Sequence, residues 1–261
     1  DGQLQKLAGG GTERDLQITL GLIPRRLGKG DLELDAQDLT AADAARSGWD
    51  PAHWSIDVAA RVLTLCQTVD GDQAFADRFV RLCSMADAGE TVALYSGLPL
   101  YPAPELLEVQ VGQGLRTNMR AEFEAIAHRN PYPRERFDQH RWNHMVLKAL
   151  FIGTRLAPIQ GLDERANPEL ARILCDYAHE RWAAGRPVTA ELWRCVGPFA
   201  EGAVLADLER VLETGDSGER QAAALALHAS RDPRAQALLK LEQEMAAAIA
   251  SGELNWNSLI L

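Results

Sequence analysis

The chain has 261 residues, 46% of them apolar and 25% charged, an ordinary balance for a globular protein with a sizeable core. Its 27 Lys and Arg against 37 Asp and Glu leave a net charge of −10. That excludes a broad nucleic-acid face, which needs a basic surplus to neutralise phosphates.

The N-terminus has no basic-then-apolar signal pattern, and no apolar run approaches the roughly 20 residues of a membrane helix. No direct membrane insertion is expected, and cytoplasm is the default. With no starting Met, the native beginning is expected to lie upstream. Within ITLGLIPRRLGKGDLEL, the isolated Gly28-Lys29-Gly30 is too short for a phosphate loop.

Asp50-Pro51 opens a segment in which Val58, Val62, Leu65, Cys66 and Val69 follow helical spacing, ended by Asp70-Gly71-Asp72. The next helix buries Phe75, Phe79, Leu82 and Cys83. A third runs from about Asp87 to Tyr95 and stops at Ser96-Gly97, where glycine is expected as a left-handed cap. Pro102 and Pro104 introduce a fourth, ending near Gly112 to Gly114. Thr117 or Asn118 caps a fifth through Phe123 and Ile126, ended by Asn130-Pro131-Tyr132-Pro133 because residues before proline avoid the helical region.

Two central helices follow. The first is RWNHMVLKALFIG, from Arg141 to Gly153. The second spans about Pro168 to Ala184, with Asn167 as cap, proline in the first turn and Gly185 as stop. Thr189 then caps a short helix through Trp193. After Gly197-Pro198, LADLERVLETGDSGERQAAALALHASRDPRAQALL is similar to HEAT-type helix pairs. One or two such units fall below the roughly three that stand alone, so they should pack on the preceding helices.

The expected fold is therefore all-α, a single domain over 1–261, in a compact helical array compatible with a solenoid. Residues 1–48 form an N-terminal helical segment, 49–199 the centre, and 200–261 the HEAT-like C-terminal helices. Cys66, Cys83, Cys175 and Cys195 show no CxxC spacing and sit in apolar surroundings, which suits structural thiols in a reducing compartment.

The polar groups of the central helices are the candidates for function. At about 100° per residue, Arg141, His144 and Lys148 fall on one stripe of a helix otherwise apolar, with Asn143 beside it. Lys148 either carries its stem along the core to reach solvent or forms part of a basic wall facing a cavity. On the second helix Asp176, His179 and Glu180 are neighbours, with Arg172 on the same stripe. They suit an ion-pair network or general acid–base chemistry. Their spacing matches no metal signature, so no metal or other cofactor is assigned. Between the helices, Asp163, Arg165 and Asn167 alternate in a polar loop at a helix N-terminus, where free amides and the dipole favour an anion. Asn167 also serves as cap there, and Asp163 can pair with Arg165. Trp142, Trp182 and Trp193 either pack the core or line a pocket. No GxSxG elbow supports a serine nucleophile.

Four stretches carry a resemblance to the EboA family: DAGETVALYSGLPLYP, NPYPRERFDQHRWNHMVLKALFIG, GLDERANPELARILCDYAHERWAAGRPV and ELWRCVGPF. The resemblance implies a bacterial or cyanobacterial gene cluster that also encodes a membrane prenyltransferase, a TatD-like hydrolase and sugar-metabolism-like enzymes. It implies a link to secondary metabolites and to movement of precursors toward the periplasm. It supplies no catalytic residues, and it implies glutamine more often than histidine at the position of His144.

Two readings stay open. One is a cytoplasmic binding or scaffold protein of such a pathway, with partners among its proteins and a polar pocket for an anionic small molecule, a phosphorylated one included. Arg141, Asn143, His144, Lys148, Asp163, Arg165 and Asn167 would grip it. The other is an enzyme acting on a phosphorylated or prenyl-linked metabolite, with His179, Asp176 and Glu180 as acid–base groups between the central helices.

Overall fold

The computed structural model describes residues 12–259, and among these it is all-α, with fifteen α-helices, two single-turn 3₁₀ segments and no strand. The helices fall into two compact units, residues 12–142 with 158–160, and residues 143–157 with 161–259.

The first unit holds α1 (Glu13–Leu27), α2 (Ala36–Ala45), α3 (Ile56–Cys66), α4 (Asp72–Met85), α5 (Ala88–Ser96), α6 (Pro104–Gly114), α7 (Arg120–Ala127) and α8 (Tyr132–Arg136). Helix α1 lies in the N-terminal segment expected only in general terms to be helical. Thr12 and Asp15 form a reciprocal capping box that satisfies two otherwise orphaned amides. Pro24 is tolerated close to its C-terminal end. Helix α3 begins at Ile56, five residues after Pro51, and α7 begins after Met119 rather than at Thr117 or Asn118. The Thr117 hydroxyl still accepts the Met119 amide at 3.1 Å.

Phe75, Phe79, Leu98, Leu107, Phe123 and Ile126 are fully buried in this unit. Each such side chain contributes about 1.5–3 kcal/mol relative to exposure. Gly97 ends α5 as expected, but for a different reason. Its φ of −78° is right-handed; what requires glycine is the Tyr101 ring and hydroxyl, which a Cβ would overlap.

Helix α9 (Gln139–Phe151) is counted with the first unit to Trp142 and with the second from Asn143. The second unit continues with α10 (Pro168–Ala183), α11 (Leu192–Val196), α12 (Ala203–Thr214), α13 (Ser217–Ala229), α14 (Pro233–Leu241) and α15 (Gln243–Ala250). Helix α13 is its centre: the run from Ala222 to Leu227 is buried, and it packs on α11, α12, α14 and α15. A repeat in a linear stack would touch only its sequence neighbours, and nothing in these contacts singles out a HEAT-type pair.

No helix among the described residues is long and apolar enough to cross a membrane. All four cysteines are free. Burial pushes the thiols of Cys83, Cys175 and Cys195 up to about 12.

Candidate functional site

Helix α9 presents two adjacent rows in its C-terminal half. His144 and Lys148, four apart, form a polar row. Leu147 and Phe151, also four apart, form an apolar one beside it. Opposite stand Tyr177, Glu180 and Arg181 of α10, and Arg186 from the turn that follows. These eight residues line a hollow of about 640 Å³.

Local structure fixes the α10 side of this hollow. Asn167 caps α10 by accepting the Leu170 amide at 2.9 Å, with Pro168 at the first helical position, where its missing donor costs nothing. Gly185 closes the helix at φ +65°, a conformation that disfavours side chains. The turn folds the chain back so that the Arg186 amide bonds the Arg181 carbonyl at 2.9 Å. Arg181 is itself held: its Nε donates to the Pro187 carbonyl at 3.0 Å, and its guanidinium lies 6.0 Å from the Tyr177 ring centroid. The Tyr177 hydroxyl donates weakly, at 3.4 Å, to the Leu150 carbonyl of α9.

Among the described residues the lining holds Lys148, Arg181 and Arg186, one carboxylate, Glu180, and the imidazole of His144. The chain as a whole carries a net charge of −10. Burial pulls the Lys148 ammonium below the ordinary lysine range, because partial desolvation disfavours its charged form.

Of the ten residues singled out in the sequence, the hollow gathers His144, Lys148 and Glu180. Arg141 groups with the first unit, where its guanidinium lies over the Phe137 ring at 5.5 Å and beside Gly112. Asn143 is buried and paired with Asn167, side chain to side chain. Asp163 is gripped by Arg194 rather than by Arg165, through two parallel bonds of 2.7 Å. The Arg165 carbonyl accepts from Asn167 at 3.0 Å.

The acid–base trio disperses around α10. Asp176 pairs with Arg172 at 2.6 Å. His179 sits on the Asp207 carboxylate at 2.8 and 2.9 Å, against the Trp182 ring. Trp182 stacks on buried Trp193 and carries the Arg210 guanidinium 4.3 Å from its centroid. Among the described residues, no group of three or more His, Cys, Asp or Glu side chains is placed to hold a metal.

Sequence reading passed over Leu147, Phe151, Tyr177, Arg181 and Arg186 as site residues. The signal was present in the Tyr177/Arg181 spacing of four and in the basic residue directly after Gly185. It also passed over Glu191, a buried carboxylate that accepts the Leu156 and Ala157 amides at 2.7 and 3.1 Å and Arg155 at 3.4 Å. A larger hollow, about 780 Å³, lies between Pro168, Arg172 and Asp176 on one side and Phe199, Glu201 and Arg231 on another. Its charges are largely consumed internally: Arg172 binds Glu169 and Asp176, and Asp232 binds Arg234.

Fold and site together define an all-helical protein whose second unit carries a cationic hollow with an apolar rim. A family model described as "Metabolite traffic protein EboA" matches residues 1–197, and the chain belongs to the EboA family. All eight residues of the 640 Å³ hollow fall inside the matched span, whereas much of the larger hollow's lining lies beyond it. Neither the curated proteins nor the solved structures contain a match to the chain.

Proposed function

We propose that this chain is a binding protein that holds a small anionic metabolite in the hollow between α9 and α10. It would act as a carrier or scaffold beside the other proteins of a metabolite pathway. The observation that carries this reading is the gathering of Lys148, Arg181 and Arg186 around one hollow of about 640 Å³, on a protein otherwise strongly acidic. Arg181, held by its bond to the Pro187 carbonyl and by the Tyr177 ring, loses little freedom when an anion arrives. The family's description as a metabolite traffic protein fits a protein that binds without transforming.

The enzyme reading draws less support, because Asp176 and His179 are engaged with Arg172 and Asp207 and do not line the hollow with Glu180. The test is calorimetric titration with inorganic phosphate, short phosphomonoesters and the matching neutral alcohols. Saturable binding of the anions alone, weakened at least tenfold by Lys148→Ala or Arg181→Ala, is the expected outcome. Equal affinity in those variants, or none in the parent, would refute the proposal.

A further inference from the structure

We infer that the chain carries a second binding site, distinct from the hollow between α9 and α10, which takes a small planar aromatic carboxylate. It lies in a hollow of about 420 Å³ where α12 and the first turn of α13 meet the end of α10.

The floor is aromatic. Trp182 of α10 and Trp193 of α11 stack with their centroids 5.9 Å apart and their planes at 28°. Trp193 is buried, whereas Trp182 is half-buried and keeps part of its indole on the hollow. Val188 and Val211, both buried, extend the apolar lining. Stacked indoles favour a flat ring over a saturated one, because ring pairs gain contact beyond the area they bury.

The oxyanion end is set by Arg210. Its guanidinium sits 4.3 Å from the Trp182 centroid, and its nitrogens bond to no described residue. A guanidinium seated on a ring is held through its face and keeps its N–H edge for paired bonds to an oxyanion. Glu219 lines the same hollow, its Oε2 accepting the Asp216 amide at 2.8 Å in the cap of α13. That fixed carboxylate penalises a dianion such as phosphate more than a monoanion, so the fitting head group is a carboxylate. The volume suits one or two rings. Arg210, Val211 and Glu219 lie beyond residue 197, so the site belongs to this chain rather than to the span the family model matches.

The experiment follows the indole N–H resonances of the labelled full chain, with Trp182 assigned through Trp182→Phe. Naphthalene-2-carboxylate, its fully saturated analogue and 2-naphthylmethanol are added in separate titrations. The Trp182 and Trp193 signals should shift saturably with the aromatic acid, bound about fivefold more tightly than the saturated acid. The alcohol should not bind measurably. Arg210→Gln should weaken the aromatic acid about tenfold, and Thr214→Tyr, which fills the hollow from an exposed lining position, should abolish its binding. Arg210 is exposed as well, so neither variant disturbs the core. Lys148→Met should leave this affinity at the parent value. Equal affinity for the two acids overturns the aromatic assignment. Binding lost in Lys148→Met but kept in Arg210→Gln puts the acid in the first hollow, which overturns the second site and leaves the first standing. No shift of either indole with any probe overturns the second site alone, because the first is judged by its own phosphate titration.

Discussion

Asn143 and Asn167 face one another as an amide pair. Asn167 Nδ2 donates to Asn143 Oδ1 at 2.9 Å, and Asn143 Nδ2 donates back to Asn167 Oδ1 at 3.3 Å. The same Asn167 oxygen accepts the Leu170 amide, so the cap of α10 and an amide buried to 2% exposure on α9 share one network.

Asn143→Leu should therefore destabilise the protein by about 1–2 kcal/mol, since it takes both side-chain bonds from the half-buried Asn167 that caps α10, without touching the hollow. Denaturant unfolding reads the loss. Ligand affinity should stay at the parent value, which separates this polar residue from Lys148, five positions along the same helix.

Glu191 and Asp163 predict opposite outcomes for the same kind of change. Glu191→Ala abandons two backbone amides in a buried place and should cost about 1–3 kcal/mol. Asp163→Asn loosens the fork to Arg194 at a carboxylate 62% exposed, and should cost less than about 1 kcal/mol. Thermal midpoints of the two variants, compared side by side, test the contrast.

The thiols give a prediction about reactivity. Burial holds Cys83, Cys175 and Cys195 at about 12, so almost no thiolate exists at pH 8. Alkylation by iodoacetamide at that pH should be at least tenfold slower in the native protein than in denaturant, followed by mass spectrometry. Equal rates would mean these sites open readily.

Lys148 yields a pH dependence with a definite sign. Its pKa is lower in the folded chain than in the unfolded one, so the unfolded chain binds more protons between the two values. Its contribution to stability is unfavourable at neutral pH and is relieved as the pH climbs from the folded value toward that of a free lysine. Lys148→Met should remove the alkaline rise, read as the difference in denaturant unfolding between neutral and alkaline pH; a rise that persists in the variant would contradict the assignment.

Much of this was legible in the sequence. Proline and asparagine at the start of α10 and the glycine after its end fixed that helix to within a residue, because each acts through purely local geometry. The capping box of α1 was equally local but went unread at Thr12. The site was legible in part. Helical spacing placed His144 and Lys148 together, and the structure keeps them so. It also placed Arg141 with them, three residues earlier, but the Phe137 ring gave that guanidinium a nearer surface. Asp176, Glu180 and His179 are close in sequence, and the Arg172–Asp176 pair four apart was legible in the spacing; Asp207, far along the chain from His179, was not. The apolar rim could not be told from core, since Leu147 and Phe151 continue a pattern that elsewhere in α9 faces inward.

The most direct test is a titration of isotopically labelled protein with a short phosphomonoester, read as backbone amide shifts. A single bound species is predicted, with the largest shifts at residues 144–151 and 177–187 and none of comparable size in the Lys148→Met variant. Shifts centred instead on the larger hollow near Phe199 and Arg231, or scattered without saturation, would contradict it.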